Sequence, residues 1–232
     1  MKIRILALFA VGLFIGPSHA KANIVDTTGE INDSFCCLGE YWEYTGDTAT
    51  VGQTFTVGEA NVLENFTFLL RNERSFIDFR PYVFEWDGSK ATGTPLFSGS
   101  PSTTSLLNPE NGFTAFTFDT GSLSLTSGAQ YVAFFSTTFI MSGVMGSASI
   151  GTVSGGDVYD GGSFVYINNQ EMSSWNLLTS QDWIQDYQCA GCDLAFRMEF
   201  SGAPVGVPEP GTLALLGVGL VGIGVRRRIK AS

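Results

Sequence analysis

The chain of 232 residues holds one histidine, His19, and it falls inside an N-terminal stretch that reads as a leader. A mature chain without histidine has no Ser-His-Asp or Cys-His nucleophile and no histidine-ligated zinc. It also lacks the side chain that most often serves as a general base near neutrality. Basic residues are scarce as well. From Asn23 to Val207 there are five, Arg71, Arg74, Arg80, Lys90 and Arg197, against 21 aspartates and glutamates, a formal charge of −16. Such a surface repels phosphate backbones and anionic headgroups, which excludes nucleic acid as a partner, and it keeps the chain soluble.

Also missing from this stretch are helical periodicity, an internal repeat and a trusted catalytic signature. A glycosidase needs two carboxylates about 5 to 9.5 Å apart across a sugar site. Glu40 with Glu43, Asp182 with Asp186, and Glu85 with Asp87 are candidate pairs. None forms the E-x-D-x-x-E pattern of some sandwich glycosidases, and among 21 acids chance pairs are expected. No cofactor is expected.

What is present is strand-like. Phe66, Phe68 and Leu70 alternate with Thr67 and Leu69, and Leu194, Phe196, Met198 and Phe200 alternate with Ala195, Arg197 and Glu199. That period of two puts apolar side chains on one face of a strand. Further strands are expected at Thr50 to Val57, Phe76 to Trp86, Phe113 to Phe118, Gln130 to Phe139 and Ser163 to Ile167, separated by glycine-containing turn signals. Trp86-Asp87-Gly88 reads as a hairpin turn, Asp-Gly supplying positive φ angles. The expected fold is all-β, a single jelly-roll-like β-sandwich over residues 23–200, followed by a Pro- and Gly-containing linker over 201–210.

Four cysteines stand in two pairs, Cys36 with Cys37 and Cys189 with Cys192. Adjacent cysteines bridge each other only with strain, so in an oxidising compartment the two connectivities joining the first pair to the second are favoured. Each bridge closes a loop of about 150 residues, worth about 4 to 5 kcal/mol on the chain-entropy model before strain. The rivals are a four-thiolate zinc site and a redox-active C-x-x-C. The stretch Gly155-Gly156-Asp157-Val158-Tyr159-Asp160-Gly161-Gly162 offers Asp157 and Asp160 as weak calcium ligands, with a plain glycine-rich turn as the favoured reading. Tyr41, Trp42 and Tyr44, together with Trp175 and Trp183, are candidates for stacking on sugar rings or for filling the core.

The two ends carry addresses. Lys2 and Arg4 precede an apolar run from Ile5 to Ile15, broken by Gly16 and Pro17 ahead of Ser18 and Ala20. This is the layout of a secretory signal peptide over residues 1–22, with cleavage after Ala20, which has Ser18 two before it, or after Ala22, which the Ala20-Lys21-Ala22 pattern favours. At the other end, Val207-Pro208-Glu209-Pro210 is followed by an apolar segment from Gly211 to Val225 and by Arg226, Arg227 and Arg228. The segment is about 22 Å long as a helix against a hydrocarbon core of about 30 Å, a short transmembrane span. The positive-inside rule puts the arginines in a basic cytoplasmic tail, residues 226–232.

These three ordered elements resemble the PEP-CTERM protein-sorting signal. The resemblance implies export in a Gram-negative bacterium that makes exopolysaccharide, transient anchoring in the inner membrane, and processing by exosortase, a polytopic membrane protease. Pro208, Glu209 and Pro210 would be its recognition site and Arg226 to Arg228 the stop signal. Val51-Gly52-Gln53-Thr54-Phe55-Thr56-Val57, Tyr82-Val83-Phe84-Glu85-Trp86-Asp87-Gly88 and Gln130-Tyr131-Val132-Ala133-Phe134 resemble strand motifs of a group of uncharacterised PEP-CTERM proteins, which implies a β-sandwich and no particular activity. The expected function is a structural or adhesive component of the cell surface or matrix, with exopolysaccharide as partner. A carbohydrate-active enzyme using a carboxylate pair and a calcium-dependent carbohydrate-binding module are the alternatives. If both cysteine pairs are oxidised, the exported protein should take up no maleimide under denaturing conditions until it is reduced. Labelling before reduction would return the cysteines to the thiolate readings.

Overall fold

The computed structural model describes residues 22–39, 48–105, 107, 112–138, 140, 146–168, 176–185 and 192–202, apart from the side chains of Cys36 and Cys37. All of the expected leader except Ala22, the sorting motif and the expected span over 211–225 lie outside these residues. The described residues fall within one compact unit, Lys21–Ala203.

Two antiparallel sheets face each other. In the first, β1 (Asn23–Asp26), β14 (Phe196–Ser201), β4 (Val62–Asn72), β10 (Ser147–Val153) and β13 (Asp193–Leu194) follow in that order, with β2 (Asp33–Gly39) on β10 and β8 (Thr114–Ser124) on β4. In the second the order is β12 (Ile184–Gln185), β11 (Phe164–Ile167), β3 (Thr50–Thr56), β9 (Gln130–Ser136), β5 (Asp78–Trp86) and β6 (Ala91–Ser98), with β7 (Ser102–Thr103) on β5. The chain passes repeatedly from one sheet to the other, so the all-β sandwich expected from alternation is what forms.

The alternation works as the pleat requires. Along β14, Phe196, Met198 and Phe200 are buried while Arg197 and Glu199 stay partly exposed. The rings of Phe196 and Phe200 and the Met198 side chain join an aromatic-rich layer between the sheets. Phe135 stands in its middle, with ring centroids of Phe79, Phe68, Phe118 and Phe66 at 4.6, 4.9, 5.3 and 6.3 Å. Mostly edge-on and tilted contacts of this kind add to the burial term.

The second sheet is buried on its other face too. Tyr82, Phe84, Val132, Phe134 and Val165 point away from the first sheet and form a second cluster with Leu178 and Trp183. Leu178 lies on α1 (Asn176–Ser180), and the Trp183 indole N–H donates to the Leu178 carbonyl at 2.9 Å. This is why β9, QYVAFFS, reads as an unbroken apolar run: Tyr131, Ala133 and Phe135 serve one cluster and Val132 and Phe134 the other.

The expected strands are found with shifted ends: β8 runs on to Ser124, β5 starts at Asp78 and β9 stops at Ser136. β2, β6 and β10 were not expected. β10, SASIGTV, is buried at every position but made of small residues, so neither alternation nor bulk marks it. At its Gly151 the strand lies against the Ile31 side chain and Ala195 Cβ, which cover the position from outside the strand. The β5–β6 turn forms differently from the Asp-Gly expectation. Gly88 alone takes the positive φ, +101°, while the Asp87 carboxylate accepts the Ser89 and Lys90 amides at 2.9 Å each. Among the described residues no helix is long and apolar enough to cross a membrane.

Truncating the ring at the centre of the aromatic layer should cost most. Phe135→Ala is expected to lower unfolding stability by about 3 to 5 kcal/mol in urea titration. A loss under about 1 kcal/mol would show that the layer is not the common support of both sheets.

Candidate functional site

The outer face of the first sheet carries a polar groove of about 330 Å³, and strand register builds it. Asp26 on β1 pairs with Arg197 on β14, Arg197 with Thr67 on β4, and Thr67 with Thr117 on β8, giving one row across four strands. Two residues along, the same three pairings align Ile24, Glu199, Asn65 and Asp119. On the other side of the first row Leu69 lies opposite Ala115 and supplies a small apolar floor. Between Leu63 and Asn65 the register of β4 against β8 slips, and the rows stop there.

The groove's side chains are bonded to each other. Arg197 Nη1 donates to Asp26 Oδ2 at 2.7 Å, and its Nη2 and Nε donate to Glu199 Oε1 at 2.7 and 3.0 Å. Asn65 Nδ2 donates to Glu199 Oε2 at 2.9 Å, and the Thr67 and Thr117 hydroxyls share a hydrogen bond of 2.8 Å. Burial pushes the Asp26 carboxyl up, but hydrogen bonds from Thr28 and Arg197 outweigh it and hold it below its ordinary value. Hydrogen bonds from Asn65 and Arg197 hold Glu199 low in the same way. Two ionised carboxylates locked to one guanidinium bind and orient, whereas a general acid for glycoside cleavage needs a raised carboxyl.

The raised carboxyl is elsewhere. Asp193, on β13, is fully buried between the sheets. Gln53 Nε2 donates to its Oδ1 at 2.8 Å, and the amides of Val158 and Tyr159 donate to its Oδ2 at 3.1 and 2.9 Å. Gln53 Oε1 accepts the Leu194 amide at 2.8 Å, so the two side chains join β3, β13 and the 155–162 turn. Desolvation by burial pushes Asp193 up to about 6 against the pull of these hydrogen bonds, with Asp157 adding repulsion. With its oxygens engaged and no exposed surface, Asp193 is a structural tie.

The turn considered for calcium is thus anchored by its backbone. Its amides at Val158 and Tyr159 point to Asp193, the Tyr159 ring packs on Phe196 with centroids 5.3 Å apart, and Asp157 and Asp160 are exposed. Among the described residues no group of three or more His, Cys, Asp and Glu is placed to hold a metal ion. Of the aromatic candidates, Trp183 is 4% exposed, its ring against Trp86 and Phe134, which removes it from any exposed stacking platform. Tyr41, Trp42, Tyr44 and Trp175 lie outside the described residues, as do Cys189, Glu40, Glu43 and Asp186. Cys192 is disulfide-bonded. Asp87 and Asp182, taken from two different candidate pairs, meet around one cation instead, at 3.5 and 3.7 Å from Lys90 Nζ.

Sequence reasoning had the outward positions of the groove, since Arg197, Glu199 and Thr67 sit between buried rings, but not their convergence. Asp26 and Thr117 join them only through register, and Asp193 was hidden because an acid next to a cysteine looks like surface.

The described part of the chain is therefore a two-sheet all-β sandwich with a polar groove on one outer face. The chain also carries a PEP-CTERM protein-sorting motif, matched over residues 206–228. No curated protein matches the chain. Among solved structures it is similar to the cysteine protease and lectin-like domains of Cwp84, a surface layer associated protein of Clostridium difficile, at 11% identity and a TM-score of 0.41 over 74% of this chain and 36% of that one. The clostridial cysteine protease Cwp84 after propeptide cleavage aligns at 11% identity and a TM-score of 0.43, with 74% and 41% covered. The chain thus spans well under half the length of these proteins.

The two kinds of carboxylate have opposite pH signatures. Asp26 and Glu199 sit low in the folded state, so their contribution is present above their ordinary values and is lost as pH falls below those through the lowered folded ones. Asp193 binds its proton more tightly folded than unfolded, so its contribution is present below 3.8 and is lost as pH rises through about 6. Comparing wild type with Asp193→Asn from pH 4 to 7 should show wild-type melting temperature declining relative to the variant as pH rises. A constant difference would mean Asp193 titrates as an ordinary surface acid.

Proposed function

We propose that the protein is exported, sorted by exosortase to the cell surface, and serves there as a structural or adhesive component that holds exopolysaccharide. The observation that carries this reading is the match of residues 206–228 to the PEP-CTERM sorting motif. On this reading Pro208, Glu209 and Pro210 are the exosortase recognition site, and Arg226, Arg227 and Arg228 hold the apolar segment in the inner membrane until cleavage. Proline on both sides of Glu209 is unfavourable for helix and for ladder pairing, which supports a role as a protease recognition site.

The sandwich suits the exposed role. Its stretch from Asn23 to Val207 is strongly acidic, which keeps it dispersed among anionic envelopes. Its groove offers fixed hydrogen-bonding groups rather than a proton donor, which supports binding over hydrolysis. Tyr41, Trp42 and Trp175 are proposed as additional sugar contacts, and Cys36, Cys37 and Cys189 as disulfide partners alongside Cys192.

Mass spectrometry of surface-associated protein should find a C-terminus close to Pro210 and no peptide from Leu213 to Val225. Replacing Pro208, Glu209 and Pro210 by alanine, or deleting the exosortase, should leave full-length chain in the membrane fraction. Intact tail on mature extracellular protein from wild-type cells would identify a plain membrane anchor.

A further inference from the structure

We infer that the groove across β1, β14, β4 and β8 is a binding site for an uncharged polyhydroxylated chain, a neutral polysaccharide that lies across the strands. The inference rests on the surface role proposed above and assigns it to one face of the sandwich.

Size and shape come first. Neighbouring strands are about 4.8 Å apart, so a row over four strands runs about 14 Å, and rows two residues apart stand about 7 Å from each other. The groove is thus an elongated trough, long enough for a short oligosaccharide segment and open for a polymer to continue past it. Its small floor, Leu69 and Ala115, suits the C–H face of a sugar ring, and its walls are polar on the side of Asp26, Arg197, Glu199 and Asn65.

Chemistry comes next. Arg197 commits three of its five N–H groups to Asp26 and Glu199, which leaves two donors on a guanidinium that cannot swing. Thr67 and Thr117 share one hydrogen bond between two hydroxyls, so one hydroxyl hydrogen remains to be given. Asn65 is turned by Glu199, and the carboxylate oxygens retain lone pairs beside their present partners. Fixed donors and acceptors alternating along a row match hydroxyl groups, which both give and accept. They are held before the ligand arrives, so little ordering is required on binding.

Charge selects among polymers. Two carboxylates around one guanidinium leave the trough net negative, in a stretch of −16, as five basic against 21 acidic residues dictate. A uronate- or sulfate-bearing polymer is repelled, whereas a neutral one meets no such barrier. A basic chain is the competing occupant, and the experiment separates it.

The test is affinity electrophoresis of the full-length chain in detergent, through gels containing dextran, mannan, xylan or a mixed β-glucan as neutral polymers, alginate as the polyanion, or poly-lysine as the polycation. At least one neutral polymer should retard the protein, and alginate should not. Thr117→Arg, an exposed position on an edge strand, fills the trough and should weaken that retardation at least tenfold with an unchanged melting temperature. Thr94→Arg, exposed on β6 of the other sheet, should leave it as in wild type. Retardation by none of the four neutral polymers, by alginate, or by poly-lysine alone overturns the assignment, as does a Thr117→Arg variant that binds like wild type. Tail cleavage is read separately by mass spectrometry, so a failed groove and a failed sorting motif give different results.

Discussion

The aromatic layer around Phe135 is the constraint on which the rest depends. Strand side chains alternate, so seating Phe66, Phe68, Phe79, Phe118 and Phe196 between the sheets decides which way every neighbour points. A slip of one residue would bring Thr67, Arg197 and Glu199 inward and carry the rings into solvent, a loss no surface hydrogen bond offsets. The inner packing therefore fixes the outer register, and the outer register writes the two polar rows. The groove is a by-product of the core in the sense that nothing but the core's register aligns Asp26 with Thr117.

How far the sequence discloses this follows the same logic. Strands with one buried face, β4 and β14, announce themselves because apolar and polar positions alternate. Those with two buried faces, such as β9, read as apolar runs and were located without their orientation. β10 was invisible: Ala148 and Ile150 face the core while Gly151 lies against Ile31, and a strand buried on both faces with small side chains has no local signature. The site was half legible for a related reason. Local alternation names the residues that face outward on one strand, while a groove needs the pairing partners of that strand, which are long-range. β1 and β8 stand far from β4 in sequence, so their contributions were unavailable to local reading.

The buried pair of Gln53 and Asp193 shows a second way in which sequence misleads. Asp193 directly follows Cys192, and no pattern in the sequence marks it as buried. In the fold it accepts amides from Val158 and Tyr159, while Gln53 takes the Leu194 amide. Backbone groups that would otherwise be buried without partners are satisfied by one acid and one amide, and the acid's burial is the consequence. Such a tie gives specificity to the arrangement of the turn, since no apolar replacement offers acceptors at those positions.

The pairing of the first strand with the last has a mechanical consequence. Asn23 lies opposite Phe200, so the chain enters and leaves the sandwich side by side, and β14 is clasped by β1 over four register pairs and by β4 over six. Tension applied to the chain beyond Ser201 would run along β14 and shear both ladders at once instead of peeling one bond after another. A domain held by that strand while its neighbouring face grips a polymer would resist being torn apart where the pull enters, because the strand under tension is an interior one.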